Sequence, residues 1–275
     1  VLKQRIVTAI ILAAVLLLAL FYLPLPLFSA FVATVVLIAS WEWANLSGLG
    51  KIPQRLVYVI ATAGILAAVA FFTVRHDGAQ QEISKAILMV ACVWWAVALL
   101  WIQSYPGSAA IWGTRWFKAL MGFVVLVPTW LALTYIHQQP SGTWLILIVV
   151  LIVVAADVGA YFSGKAFGKH KLAAEVSPGK SWEGFWGGVL SCIILAAVLS
   201  HFVESSFLST LFIIIPAGLA SVLGDLLESM VKRQRGIKDS SSLLPGHGGV
   251  LDRVDSLTAA APVFALCLSL SHWTL

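Results

Sequence analysis

The feature that most limits what this chain can fold into is a run of apolar residues, about 18 to 23 long, that recurs along its whole length. A bilayer core is crossed by a helix of about 20 apolar residues, so each run is long enough to span one. About nine can be drawn, at 6–23, 27–45, 56–73, 84–102, 118–136, 143–163, 184–203, 208–230 and 257–273. Pro24 and Pro26 separate the first two, and Gly48, Gly50 and Pro53 the next. Pro106 with Gly107, and Pro140 with Gly142, mark later breaks. Apolar residues make up 60% of the chain and charged residues 11%, with a mean hydropathy of +0.97. A soluble domain carries about 25% charged residues, so a water-dispersed globule is excluded. The pattern predicts an all-α polytopic membrane protein. Its N-terminal region, 1–140, holds about five spans, and 141–275 holds the rest. No Pro/Gly/Ser-rich tether and no repeat of fixed period divides it further.

The run at 6–23 follows Lys3 and Arg5, which is also the outline of a signal peptide. Its length, and the lack of a small-residue cleavage site after it, predict a retained first helix. Orientation follows from the basic residues between spans. With the N-terminus in the cytoplasm, only Arg75 and Lys85 of the 17 Lys and Arg face the other side. Dropping one span would scramble that bias, so it also supports the span count. Lys51, Arg55, Arg115 and Lys118 are read as orientation charges alone. Trp41, Trp43, Trp101, Trp112, Trp116 and Trp182 fall near span ends and read as an interfacial belt. Glu42, between two of them, reads as an acid snorkelling to the surface. Cys92, Cys192 and Cys267 lie in apolar runs without metal-ligand spacing and read as small core residues.

Two polar, basic, glycine-containing loops stand out, 164–183 and 231–256, both placed in the cytoplasm by the charge bias. Acids that a membrane disfavours lie beside them. Asp157 is near the end of the sixth span, Asp225 and Glu228 near the end of the eighth, and Asp252 and Asp255 at the start of the ninth. A carboxylate at the centre of a span costs about 2.5–3.5 kcal/mol on insertion scales, so converging acids need a cation or basic partners. Residues three apart on a helix share a face, which puts each of these pairs on one side. Such oxygen clusters suit Mg²⁺, which often shares its sphere with substrate phosphates. The segment from Ser229 to Asp255 adds Lys232, Arg233 and Lys238 as phosphate donors. Gly246, Gly248 and Gly249 allow close backbone approach around His247. These parts resemble a phosphoryl-transfer site, although no Walker A loop, H-E-x-x-H helix or G-x-S-x-G elbow is present.

The 27 residues from Ser229 to Asp255 match, position by position, a pattern S-x-φ-K-R-x4-K-D-x-small-x2-φ-P-x-H-G-G-φ-x-D-R-φ-D, where φ is apolar. By that segment the chain is identified as resembling the phosphatidate cytidylyltransferases, or CDP-diacylglycerol synthases. Ser177-Pro-Gly-Lys180-Ser-Trp-Glu183-Gly is similar to the family's S-P-x-K-[ST]-x-E-G motif, and Asp157 to Tyr161 to its D-x-[GA]-A-Y segment. The motifs cover the second half; the first half resembles the family in length and hydropathy only. The resemblance implies transfer of CMP from CTP to phosphatidic acid, giving CDP-diacylglycerol and pyrophosphate at the cytoplasmic face of a bacterial inner membrane. Asp225, Asp252 and Asp255 are then the expected ligands of Mg²⁺, alone or with a second cation. Those three acids, Lys238 and His247 are the expected catalytic set. Ser177, Lys180, Lys232, Arg233 and Arg253 are expected to hold the triphosphate or the lipid phosphate. Asp157, Glu183 and Asp239 are expected to support the metal or its ligands. CTP and phosphatidic acid are the expected partners, with no nucleic acid, and the family suggests a homodimer.

The main alternative is a cation-coupled transporter, which nine spans and buried acids also suit. Acids gathered at one face beside basic loops, rather than at mid-membrane, favour an enzyme. The D-G-x2-A-R motif of CDP-alcohol phosphotransferases is absent.

Overall fold

The computed structural model describes residues 2–73, 78–202, 205–271 and 273. Arg75, one of the two cations placed on the far side, lies outside the described residues, as do the side chains of Lys3 and Arg5. The chain runs through α1 (Leu2–Tyr22), α2 (Leu25–Leu46), α3 (Ile52–Thr73), α4 (Gly78–Gln103), a single turn α5 (Ala109–Trp112), α6 (Arg115–Gln138) and α7 (Gly142–Phe167). Then come β1 (Lys171–Ala173), β2 (Ser177–Ser181), α8 (Trp182–Leu199), α9 (Phe207–Arg235) and α10 (Leu251–Leu270). Eight of these helices are long and apolar enough to cross a membrane, and Ile6–Tyr22 within α1 is a shorter apolar stretch. Each of the nine expected runs coincides with a helix, although α8 ends at Leu199 and α10 at Leu270, short of the expected 203 and 273.

Three features depart from the expectation. A two-stranded antiparallel hairpin, with Lys171 opposite Ser181 and Ala173 opposite Ser177, fills the first polar loop. The second loop is shorter than 231–256, because α9 continues as helix to Arg235 and α10 already begins at Leu251. Gly236, at φ +77°, ends α9 in the left-handed conformation that glycine adopts without strain. Trp43 and Trp112 leave the interfacial belt: both are fully buried, while Trp116 and Trp182 stay exposed. Trp43 Nε1 donates to the Lys118 carbonyl at 2.8 Å, which gives its polar atom a partner inside the bundle.

α6 is the central helix, with 78% of its spanning window buried, more than any other span. Thr129 ties it to α10 through the Thr258 carbonyl, and Trp130 ties it to α2 through the Ser29 carbonyl. Lipid offers little hydrophobic reward for helix association, so close backbone packing and such interhelical bonds hold the bundle. α7 and α8 show this most clearly: a Cβ at Gly187 would collide with Ser163, and one at Gly159 with Ser191. The same device sets the site. Gly224 of α9 fits directly against the Asp255 carbonyl of α10, so the polar ends of these helices meet without a spacer.

Candidate active site

The polar ends of α9 and α10 carry four acids into one region. Asp252 is the most completely engaged. Its Oδ1 accepts from Lys232 Nζ at 2.7 Å. Its Oδ2 accepts from the backbone of Gly249 at 2.7 Å and Ser240 at 3.0 Å, and from Ser240 Oγ at 2.9 Å. A carboxylate in the first helical turn that reaches back to a preceding amide satisfies donors the helix cannot, and it favours the positive helix end. Lys232 also lies 3.3 Å from Glu228 Oε1, one turn earlier on α9. Glu228 is buried at 2% exposure, and neither oxygen receives a well-formed hydrogen bond. Asp255 faces Glu228 and Asp225. Its Oδ1 accepts from the amide of Ser256 at 2.8 Å.

The hairpin closes on this group from the side. Lys180 in β2 pairs with Asp225 Oδ2 at 2.7 Å, and Ser229 donates to Asp225 Oδ1 at 3.2 Å. Asp157 of α7 lies within electrostatic reach of both Lys180 and Asp225. Asp157, Lys165 and Lys180 line a cleft of about 360 Å³ between α7, α8 and the hairpin. It adjoins a second cleft of about 460 Å³, whose lining includes Leu99, Ile102, Leu219 and Leu223 of the spans. Leu172, Phe185 and Val222 form the wall common to the two.

Of the expected residues, the fold gathers Asp157, Lys180, Asp225, Lys232, Asp252 and Asp255. Arg233 is exposed, and its Nε donates to the Val176 carbonyl beside Ser177 at 3.2 Å, holding the hairpin to α9. Lys238, Asp239 and Arg253 lie at the surface. His247 sits in a tight turn closed by its amide to the Leu244 carbonyl at 2.9 Å, and its buried Nδ1 has no partner. Glu183 stands apart from the acids. It accepts from His170 Nδ1 at 2.7 Å and from the amides of Lys169 and His170, pinning the turn before β1. Two placements change. Lys232 and Arg233 belong to the last turns of α9, not to a loop, and Lys232 is a largely buried ion-pair member with 12% side-chain exposure.

Glu42 is the residue the sequence misread. It does not snorkel; it is 1% exposed. From α2 it accepts from the amides of Val250 at 3.1 Å and Leu251 at 2.7 Å, capping α10 from outside the helix. Ser241 Oγ donates to it at 2.5 Å and Ser240 Oγ at 3.3 Å. Glu42 and Asp252 thus clamp the same loop from two sides, and Ser240 bonds both. Gly248 and Gly249 leave the room: a Cβ at Gly248 would press on Asp252, and one at Gly249 would lie 2.6 Å from Glu42. Glu42→Ala strips Ser241 Oγ and the amides of Val250 and Leu251 of their acceptor, and an unsatisfied buried donor costs about 1–3 kcal/mol. We expect a clear drop in melting temperature and loss of turnover, with Glu42→Gln partly restoring both. An Ala variant that melts and turns over like the parent would show that the clamp is not needed.

Among the described residues, no three His, Cys, Asp or Glu side chains stand in a ready-made metal-holding arrangement. The donor set nevertheless fits a hard cation. Four carboxylates, Asp225, Glu228, Asp252 and Asp255, meet two ammonium groups, Lys180 and Lys232. The acidic excess, with Glu228 held by a single long ion pair to Lys232, is what an oxygen-seeking divalent ion would neutralise.

A family model described as the cytidylyltransferase family matches residues 3–271. A phosphatidate cytidylyltransferase of Pseudomonas aeruginosa is 44% identical over 275 residues, covering 99% of this chain and 98% of that protein. One from Haemophilus influenzae is 42% identical over 281 residues, covering 96% and 97%. A third, from Mycobacterium leprae, is 34% identical over 228 residues, covering 79% and 66%.

Proposed function

The chain belongs to the cytidylyltransferase family, and from that premise we propose how its residues carry out cytidylyl transfer to a membrane lipid. It is an integral membrane nucleotidyltransferase, a phosphatidate cytidylyltransferase, and its substrates are a cytidine nucleotide and a phospholipid acid. None of the relatives named above is a transporter.

The observation that carries the site assignment is the joined pair of clefts. One is lined by Asp157, Lys165 and Lys180, with the Lys180–Asp225 pair beside it; the other is lined by Leu99, Ile102, Leu219 and Leu223 of the spans. A lipid phosphate needs both surfaces at once. In the reaction, a phosphate oxygen of phosphatidate attacks the α-phosphorus of CTP. A new P–O bond forms, the bond from the α-phosphorus to the α–β bridging oxygen breaks, and pyrophosphate leaves with the electron pair. The lipid supplies the nucleophile, so no side chain need form a covalent intermediate. Two anions must be brought together, and positioning with charge stabilisation supplies most of the catalysis in such transfers. Lys180, Arg233, Lys238 and Arg253 are the groups that offset this repulsion, with Ser177 and the His247 turn contacting phosphate oxygens. Asp225 and Asp255, with Asp252 and Glu228 beside them, would hold Mg²⁺, alone or with a second cation. That ion would screen charge on the α-phosphoryl oxygens and on departing pyrophosphate. Lys232 keeps Asp252 placed, and Asp157 balances Lys180. Asp239 borders the loop turn, and Glu183 fixes the hairpin from which Lys180 projects.

The test is the purified protein in detergent with CTP, phosphatidate and Mg²⁺. Pyrophosphate should appear only when both substrates are present. Release without phosphatidate would mean simple nucleotide hydrolysis.

We place the site at the cytoplasmic face of a bacterial inner membrane, where CTP is available, on the strength of the Lys/Arg bias. No nucleic acid enters this scheme, and the homodimer is carried forward from the family resemblance; the protein's mass in a detergent micelle tests it. Lys169→Cys and Ser242→Cys, each in a background lacking Cys92, Cys192 and Cys267, should resist impermeant thiol reagents in intact cells. Both should react after lysis. Labelling from outside would invert the topology.

A further inference from the structure

Three cations converge at a second place where the described residues supply no anion. α6 begins with Arg115 and Lys118 and has no acid in its first turn. A helix N-terminus carries about half a positive charge, so two cations there oppose the dipole rather than complement it. Lys118 is only 7% exposed. Among the described residues its ammonium has no hydrogen-bond or ion-pair partner. The charges that act on it are those of Arg115 and Arg235, both of its own sign.

The backbone explains why they meet. Trp43 Nε1 holds the end of α2 to the Lys118 carbonyl at 2.8 Å. The turn after α2 passes Arg115, whose Nε lies 3.8 Å from the Cβ position of Gly48. Arg235, at the end of α9, donates from Nε to the Asn45 carbonyl at 3.1 Å. That bond uses one nitrogen of Arg235 and leaves the rest of its fork, with Lys118 and Arg115, uncompensated. Membrane orientation requires cations on this face. It does not require one of them to be nine-tenths buried between two others, where desolvation adds to repulsion.

We propose that Arg115, Lys118 and Arg235 form a binding site for a phosphate group, separate from the cleft that holds Lys180 and Asp225. Phosphate suits the set: guanidinium forks grip its oxygens in pairs and an ammonium adds a point charge, beside the positive end of α6. The group could belong to an anionic phospholipid headgroup at the membrane surface or to a soluble polyphosphate. The site does not depend on the transfer reaction proposed above.

The experiment measures the melting temperature of the full chain in a neutral detergent, since a ligand bound to the folded state raises it. Inorganic pyrophosphate and dihexanoyl phosphatidylglycerol are the probes, and dihexanoyl phosphatidylcholine is the zwitterionic control. At least one anionic probe should raise melting by several degrees in the parent. The rise should vanish in Arg115→Gln and Lys118→Gln and persist in Lys180→Ala. Pyrophosphate alone acting assigns a soluble ligand; phosphatidylglycerol alone acting assigns a headgroup. If Lys118→Gln does not fold, exposed Arg115 carries the test. A rise that survives Arg115→Gln, or that is lost in Lys180→Ala instead, puts the phosphate in the reactive cleft and overturns the proposal. So does the absence of any rise with both probes.

Discussion

Asp252→Asn should lower turnover by about 100- to 1,000-fold, the loss seen when one preorganised electrostatic contact is removed from an active site. The side chain keeps its size but loses its charge. One of its two ends becomes an amide nitrogen. If that nitrogen faces the Gly249 and Ser240 donors, two backbone amides lose their acceptor and Ser240 Oγ loses the nearer of its two. If it faces Lys232, it meets an ammonium that was bonded to Oδ1 at 2.7 Å. Either way the loop and the acid cluster can no longer be held in register. The protein should still insert, because its spans do not depend on this residue. Turnover and melting temperature measured on one preparation check this. Parent-like turnover would remove Asp252 from the reacting cluster.

Lys232→Ala and Lys238→Ala should separate stability from catalysis. Lys232 is largely buried between Asp252 and Glu228, and removing it strands Glu228 and takes the one donor from Asp252 Oδ1. Breaking a buried pair from one side costs about 3–5 kcal/mol. That variant should melt well below the parent and lose activity along with it. Lys238 is exposed in the loop. Exposed substitutions change stability by about 0.5 kcal/mol or less, so its Ala variant should melt like the parent. Its turnover should still fall by about tenfold or more, because the charge proposed to meet a substrate phosphate is gone. A Lys238→Ala protein with a large fall in melting temperature and a matching loss of activity would make the loop a structural clamp.

These two lysines also show where the sequence was legible. Hydropathy marks spans well, because a bilayer demands about 20 apolar residues in a row. It does not mark where a helix continues past the membrane. The end of α9 from Val231 to Arg235 is mostly polar, reads as loop, and is helix. Lys232 therefore reads as a residue of the polar loop, although it faces Glu228 one turn back. The hairpin was hidden for a different reason. Its strands are three and five residues long, with glycine and proline in the second, and they alternate too briefly to show a period of two.

The acids themselves were legible from spacing. Asp225 and Asp252 are brought to one place, together with the partners Lys180 and Lys232. Glu42 was not. Its contacts are about 200 positions away, at separations of 198, 199, 208 and 209 residues. Locally it is an acid between two tryptophans at a span end, which is also how a surface acid looks. Only the packing of α2 against the start of α10 shows that the carboxylate replaces the missing acceptors of that helix. The motif resemblance was confined to the second half, so nothing in it pointed to a residue in α2.

The most direct measurement follows the fate of the phosphorus atoms. Purified protein is supplied with phosphatidate, Mg²⁺ and CTP labelled at either the α- or the γ-phosphorus, and the products are divided between organic and aqueous phases. Attack of the lipid phosphate on the α-phosphorus predicts α-label in the organic phase, in CDP-diacylglycerol, and γ-label in aqueous pyrophosphate, in equal amounts. Label from the γ-position in the lipid, or α-label that stays aqueous as CMP, would contradict the account.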